Sequence, residues 1–228
     1  MILASGLVLL GLAGCQTSPP PVKTPAAPAP TPEAGALPAG ARELHVIAAE
    51  SLLQILVHRG GAMARLGHNH VIASHQLGGS VYLPDDLRQT RFDISFPVND
   101  LTVDEPGLRE QAGPDFPPNV PQSARDGTHG NLLSEALLDG AHYPTIRLRA
   151  TDVIEAANGY NMGVEIAIKD QVRTVRVPVV VEQKEGTLVA SGEFPLKQSE
   201  LGLKPFSAAM GALLVLDDMV VRFSVTAR

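Results

Sequence analysis

The sequence predicts an antiparallel all-β domain preceded by a short appendage, and three observations predict it. Apolar and polar residues alternate at period two in segment after segment, as strands with one buried face require. Turn signals such as Gly78-Gly79, Asn158-Gly159, Lys169-Asp170 and Glu185-Gly186 separate those segments. A composition of 44% hydrophobic, 18% charged and 4% aromatic residues over 228 positions suits one globular domain with an appendage, or at most two small domains. Strands in tandem, each with one apolar face, are satisfied by a closed barrel or a two-sheet sandwich, and closure removes exposed edges.

The appendage comes first. Residues 1–14 carry no charge, and their apolar run is about half the ~20 residues of a membrane-spanning helix, a length that suits a signal-peptide core. The run closes in Leu12-Ala13-Gly14-Cys15, which resembles the lipobox of bacterial lipoproteins and makes Cys15 the expected lipidation site. The opening Met1-Ile2-Leu3 lacks the basic residue that signal peptides normally carry, which an upstream start would supply. Residues 15–40 follow as a tether rich in Pro and Ala, with Pro19-Pro20-Pro21, Pro25, Pro28, Pro30, Pro32 and Pro38; such a stretch favours extended polyproline geometry and cannot build a core. Gln16 stands where, by resemblance to known lipoproteins, an Asp would retain the product in the inner membrane. The expected address is therefore the periplasmic side of a bacterial envelope, anchored to the outer membrane through lipid on Cys15.

The folded part is expected over residues 41–228. Strands are expected near 44–48, 52–58, 70–75 and 80–83, then at 91–98, where Phe92, Ile94 and Phe96 share one face. Residues 99–143 break the rhythm; this Pro- and Gly-rich excursion is too long for a hairpin loop and holds two expected short helices, 105–111 after Asp104 and 131–138. Insertions of this kind often act as a lid over a barrel mouth. Alternation resumes at 146–150, 162–168, 175–181 (with Val177 and Val179), 187–194 (ending in Phe194) and a long last strand, 213–225, carrying Met219, Val221 and Phe223. Roughly eight to ten strands result.

Charge and cysteine content exclude several classes. Eighteen Lys and Arg against 24 Asp and Glu give a net charge of −6 with no basic block, so nucleic acid is not an expected partner. A single cysteine excludes a disulfide framework, a Cys-x-x-Cys redox site and a Cys-based zinc site. Any metal must be held by His or carboxylate.

Several runs carry a family resemblance: Ser51-Leu52-Leu53-Gln54-Ile55-Leu56-Val57-His58, Leu66-Gly67-His68-Asn69-His70, Arg125-Asp126-Gly127-Thr128 with Asn131-Leu132-Leu133, Leu138-Asp139-Gly140-Ala141-His142-Tyr143-Pro144-Thr145-Ile146, and Gly192-Glu193-Phe194-Pro195-Leu196-Lys197-Gln198-Ser199-Glu200-Leu201-Gly202-Leu203. In this order, across residues 41–228, they resemble the YceI-like polyisoprenoid-binding family. The resemblance implies an extended antiparallel lipocalin-like β-barrel, here with a short helical insertion between strands. It further implies a periplasmic protein, not an enzyme, that holds an isoprenoid-type lipid or another apolar small molecule inside. The 99–143 segment and the Gly-His-Asn-His run depart from the better-known members.

The inward-facing candidates for ligand contact are Phe92, Ile94, Phe96, Val177, Val179, Phe194, Met219, Val221 and Phe223, which could equally fill a solid core. His68 and His70 are two apart, so on a strand both imidazoles share a face and could chelate a transition metal such as Zn, with His58 or His75 as a third ligand; the alternative is that they hydrogen-bond backbone. A cupin would need an acid shortly after the second His, where His75 stands, and a copper-zinc superoxide dismutase needs a disulfide; neither fits. Asp217 shares the Val215 and Met219 face, so an interior position would require a partner such as Arg or His. Arg125, Arg147 and Arg149 read as solvated or paired rather than as head-group clamps. Three functions stay open: an envelope lipoprotein whose barrel binds or carries a polyisoprenoid, quinone-like or other amphiphilic lipid with no cofactor; a His-ligated metal protein or enzyme; and a ligand-free structural adaptor. A homodimer is open in each case.

Overall fold

The structure, a computed structural model, describes residues 38–228. The expected signal segment, Cys15 and the tether as far as residue 37 lie outside the described residues. Strands β1 (Arg42–His45), β2 (Leu52–Gly60), β3 (His70–Ser74), β4 (Gly78–Leu83), β5 (Arg91–Pro97) and β6 (Thr102–Val103) come first. Helices α1 (Pro106–Ala112) and α2 (Gln122–Leu133) interrupt them. Strands β7 (Thr145–Ala156), β8 (Gly159–Ile168), β9 (Gln171–Lys184), β10 (Thr187–Lys197), β11 (Ser207–Ala208) and β12 (Leu213–Ala227) complete the chain.

All strand pairs are antiparallel, and they form one sheet in the order β1-β4-β5-β7-β8-β9-β10-β12-β2-β3-β6, with β11 beside β12. The sheet curls until β1 meets the end of β12. His45 N donates to Arg228 O at 2.6 Å, Arg228 N donates back to His45 O at 3.0 Å, and Val46 bridges Ala227. The result is the extended lipocalin-like barrel.

The strands form because one face of each is apolar. On β9, Val175, Val177 and Val179 are buried while Arg176, Pro178 and Val180 face solvent, and the same parity runs along its neighbours. The β9–β10 hairpin turns on Glu185 and Gly186 at φ +51° and +83°, the pair of positive values that a tight two-residue turn demands. Gly78-Gly79, expected as a turn, instead opens β4. Gly79 lies at φ +130°, and a Cβ there would stand 2.1 Å from the Asp93 carbonyl oxygen on β5. Gly79→Ala should therefore destabilise the fold by at least about 1–3 kcal/mol in a urea titration, and an unchanged midpoint would contradict this close approach.

The main core fills the inner face of the curl, and a second small core lies outside it. There α1, started by Pro106 in its first turn, packs Leu108 with Phe116 of the following loop over Leu56, Val71 and Ala73 on β2 and β3. Burial of Leu108 and Phe116 contributes about 1.5–3 kcal/mol each.

Two further sequence expectations need correction. The helix expected at 131–138 is instead α2, which ends at Leu133; Pro121 precedes its first turn, and its sequence, with Gly127 and Gly130, has no apolar period to reveal it. Asp217 does not meet an Arg or His, because an irregularity between Val215 and Met219 resets the parity of β12. Its carboxylate accepts hydrogen bonds from Ser199 Oγ at 2.6 Å and Ser199 N at 2.8 Å, which hold its pKa below the usual aspartate value. No helix among the described residues is long and apolar enough to cross a membrane.

Candidate functional site: an apolar bore with one polar end

Inside the curl lies a cavity of about 530 Å³, within the ~300–1,000 Å³ range of small-molecule sites. All nine inward-facing candidates, Phe92, Ile94, Phe96, Val177, Val179, Phe194, Met219, Val221 and Phe223, line it. The interior is thus not a solid core. On β12 the lining residues run from Leu213 to Val225, about 40 Å of strand at ~3.3 Å per residue. The space is long and narrow.

Its polar lining gathers largely at one end, where β2, the β2–β3 loop and α2 meet. Arg59, His68, His70, Thr128 and Asn131 stand there, and no carboxylate lines the wall. Alternation on β2 and β3 places Arg59 and His70 inward beside Val57 and Ile72, while α2 turns Ala124, Thr128 and Asn131 toward the bore. The inserted segment thus does cover the cavity, as a lid would.

His70 is held from behind. Its Nδ1 lies 2.6 Å from Asp104 Oδ2, and its Nε2 faces Thr128 Oγ1 at 3.5 Å. Asp104 has no solvent exposure, and its Oδ1 accepts from Val71 N at 2.9 Å and from Arg109 Nη1. Arg109, equally inaccessible, also donates to Asn69 O at 2.6 Å and Pro117 O at 2.7 Å, and its guanidinium lies over the Phe116 ring. Burial would raise the Asp104 pKa, but the bonds from His70 and Val71, with Arg109, outweigh it and hold the carboxyl below its usual range. At His68 burial is the largest influence, with the neighbouring His70 and Arg109 next, and together they lower its pKa from the usual histidine value.

The histidines do not gather as the metal alternative requires. The His68 and His70 rings are 6.2 Å apart between centroids. His58, of opposite parity to Val57, stacks edge-on against Phe116, and His75 pairs with Glu105 at 2.8 Å. Neither supplies a third ligand, and among the described residues no three His, Cys, Asp or Glu side chains form a metal-holding group. Arg147 and Arg149 pair with Asp93 on β5, and Arg125 donates to Gln122.

Asp104, Arg109, Thr128, Asn131 and Arg59 were not legible as site residues. Asp104 stands in sequence where a helix cap would, and its bond to His70 spans 34 positions. For Thr128 and Asn131 the signals were their position in the long insertion and their place in the run Arg125-Asp126-Gly127-Thr128 with Asn131-Leu132-Leu133, neither of which assigned them a role.

A family model described as the YceI-like domain matches residues 62–227. The crystal structure of BcnA from Burkholderia cenocepacia superposes with a TM-score of 0.59 at 17% identity, covering 80% of this chain and 99% of that one. A Saccharophagus degradans structure, described as a polyisoprenoid binding domain implicated in plant cell wall breakdown, superposes at 0.52 with 10% identity over 81% of this chain and 97% of that one. At such identities the likeness is one of fold. No curated protein matches this chain.

Proposed function

We propose that this chain, which belongs to the YceI-like domain family, binds or carries one apolar chain in its barrel: a polyisoprenoid, quinone-like or other amphiphilic lipid. The observation that carries the proposal is the bore itself, about 530 Å³, elongated along β12 and apolar except chiefly at one end. A barrel of this strand number has room for a single slender ligand, and each buried methylene contributes ~0.8 kcal/mol. The polyisoprenoid-binding description of the Saccharophagus neighbour supports the ligand class. The role is one of binding rather than catalysis, and it needs no cofactor. Leu12-Ala13-Gly14-Cys15 supports lipid attachment at Cys15 and a place on the periplasmic side of the outer membrane.

The proposal is tested by thermal unfolding of the full chain, stripped of lipid, with prenols of increasing length. A ligand that binds only the folded state stabilises it by about 2.7 kcal/mol at one hundred times its Kd. The melting temperature should rise with concentration and climb with each added isoprene unit until the bore is full. A melting temperature indifferent to every prenol would overturn the reading.

A further inference from the structure

A bore for hydrocarbon does not by itself call for the polar groups at its α2 end, and their arrangement specifies what they can bind. Asp104 fixes His70 through Nδ1 at 2.6 Å, so a neutral imidazole carries its proton on that side and presents the Nε2 lone pair to the cavity. Asp104 and Arg109 compensate each other's charge behind the wall. Arg59, the cationic side chain on the wall, is exposed and already donates to the Gly67 carbonyl. Facing Nε2 is the Thr128 hydroxyl, at 3.5 Å too far for more than a weak bond. Asn131 lines the wall three residues further along the same helix.

We propose that this end of the bore is a head-group site for a hydroxyl, so that the ligand is a long-chain alcohol or phenol rather than a bare hydrocarbon, an ether or an anion. The ligand's O–H donates to His70 Nε2, and its oxygen accepts from the Thr128 hydroxyl, which a short rotation brings to bear. Asp104 is a positioning residue, since it acts only by holding the His70 ring and its tautomer. A carbonyl or ether oxygen has no proton to offer and would meet the Nε2 lone pair unfavourably, as would the oxygens of a phosphate, which is largely dianionic at neutral pH. The inference rests on the reading of the bore as a lipid site.

The test compares three probes with one hydrocarbon chain on the lipid-stripped full chain: geranylgeraniol, its methyl ether and geranylgeranyl phosphate, each displacing an apolar fluorophore. The alcohol should bind about tenfold more tightly than the ether, the worth of one well-made hydrogen bond in a dry site. His70→Phe keeps the ring and removes the acceptor, and should bring that ratio close to one. Thr128→Val, on the covering helix and free of the Asp104 pair, should lower it several-fold and serves if the His70 variant folds poorly. Equal affinities in the wild type, or a ratio that both variants leave unchanged, would overturn the head-group site while the bore reading stands. Tightest binding of the phosphate would overturn it in favour of an anion site at Arg59. Failure of all three probes to bind would overturn the bore reading as well.

Discussion

Replacing Asp104 by Asn should cost the fold about 3–5 kcal/mol, the loss expected when one member of a buried ion pair is removed and the other charge is left in place. Asn is the informative choice because Asp104 sits at φ +56°, a conformation that Asn tolerates better than most residues, so the change isolates the charge from the backbone. The stranded group is Arg109, which has no solvent exposure and whose Nη2 lacks a hydrogen-bond partner even in the intact pair. A urea midpoint that falls with an unchanged slope is the expected reading, and a loss under about 1 kcal/mol would show that the pair does not hold this corner. Acid should report the same group. The folded Asp104 pKa lies below its ordinary value of 3.8, so its contribution is present above pH ~4 and is lost as pH falls through the lower folded value. The gap between wild type and Asp104→Asn should accordingly narrow as pH drops below about 4.

Ile55→Trp should block the bore. Ile55 lies midway along β2, opposite Val221 on β12 and Ile72 on β3, with its side chain on the cavity wall. An indole there occupies space that a chain would need. Excluding even four methylenes, at ~0.8 kcal/mol each, weakens binding roughly a hundredfold. The fold should tolerate the ring better than a filled core would, where added bulk typically costs about 1–3 kcal/mol. Because the protein contains no other tryptophan, the new side chain also reports its own surroundings. Blue-shifted emission with lost prenol binding is the expected pair of results; blue-shifted emission with undiminished binding would place the lipid elsewhere.

Legibility in the sequence followed from what each residue answers to. Strand faces could be read because period two is enforced residue by residue, so Phe92, Ile94 and Phe96, or Val177 and Val179, declare their side without knowledge of their partners. Hairpin turns at Lys169-Asp170 and Glu185-Gly186 were equally local, through the positive φ of Lys169, Glu185 and Gly186, whereas the Asn158-Gly159 signal falls one residue late, since the turn there is Ala157-Asn158 and Gly159 opens β8. Helix α2 was hidden because four of the five residues it turns to the cavity, Ala124, Gly127, Thr128 and Asn131, are small or polar, and Leu132 near its end is too little to make an apolar stripe. The polar end of the bore was hidden for a related reason, since His70, the Asp104–Arg109 stretch and Thr128 come from three separate segments joined only by tertiary contact. Parity on β2 does explain why His58 cannot join His70: its neighbour Val57 faces inward, so His58 faces Phe116 on the outside.

The central claim is that the bore holds a lipid, and native mass spectrometry of the gently purified full chain, before and after extraction with organic solvent, tests it most directly. One bound species of several hundred daltons per chain is expected, removed by solvent, whose fragments reveal a long apolar chain bearing a hydroxyl. A bare protein mass before extraction, together with no uptake of prenol afterwards, would contradict it.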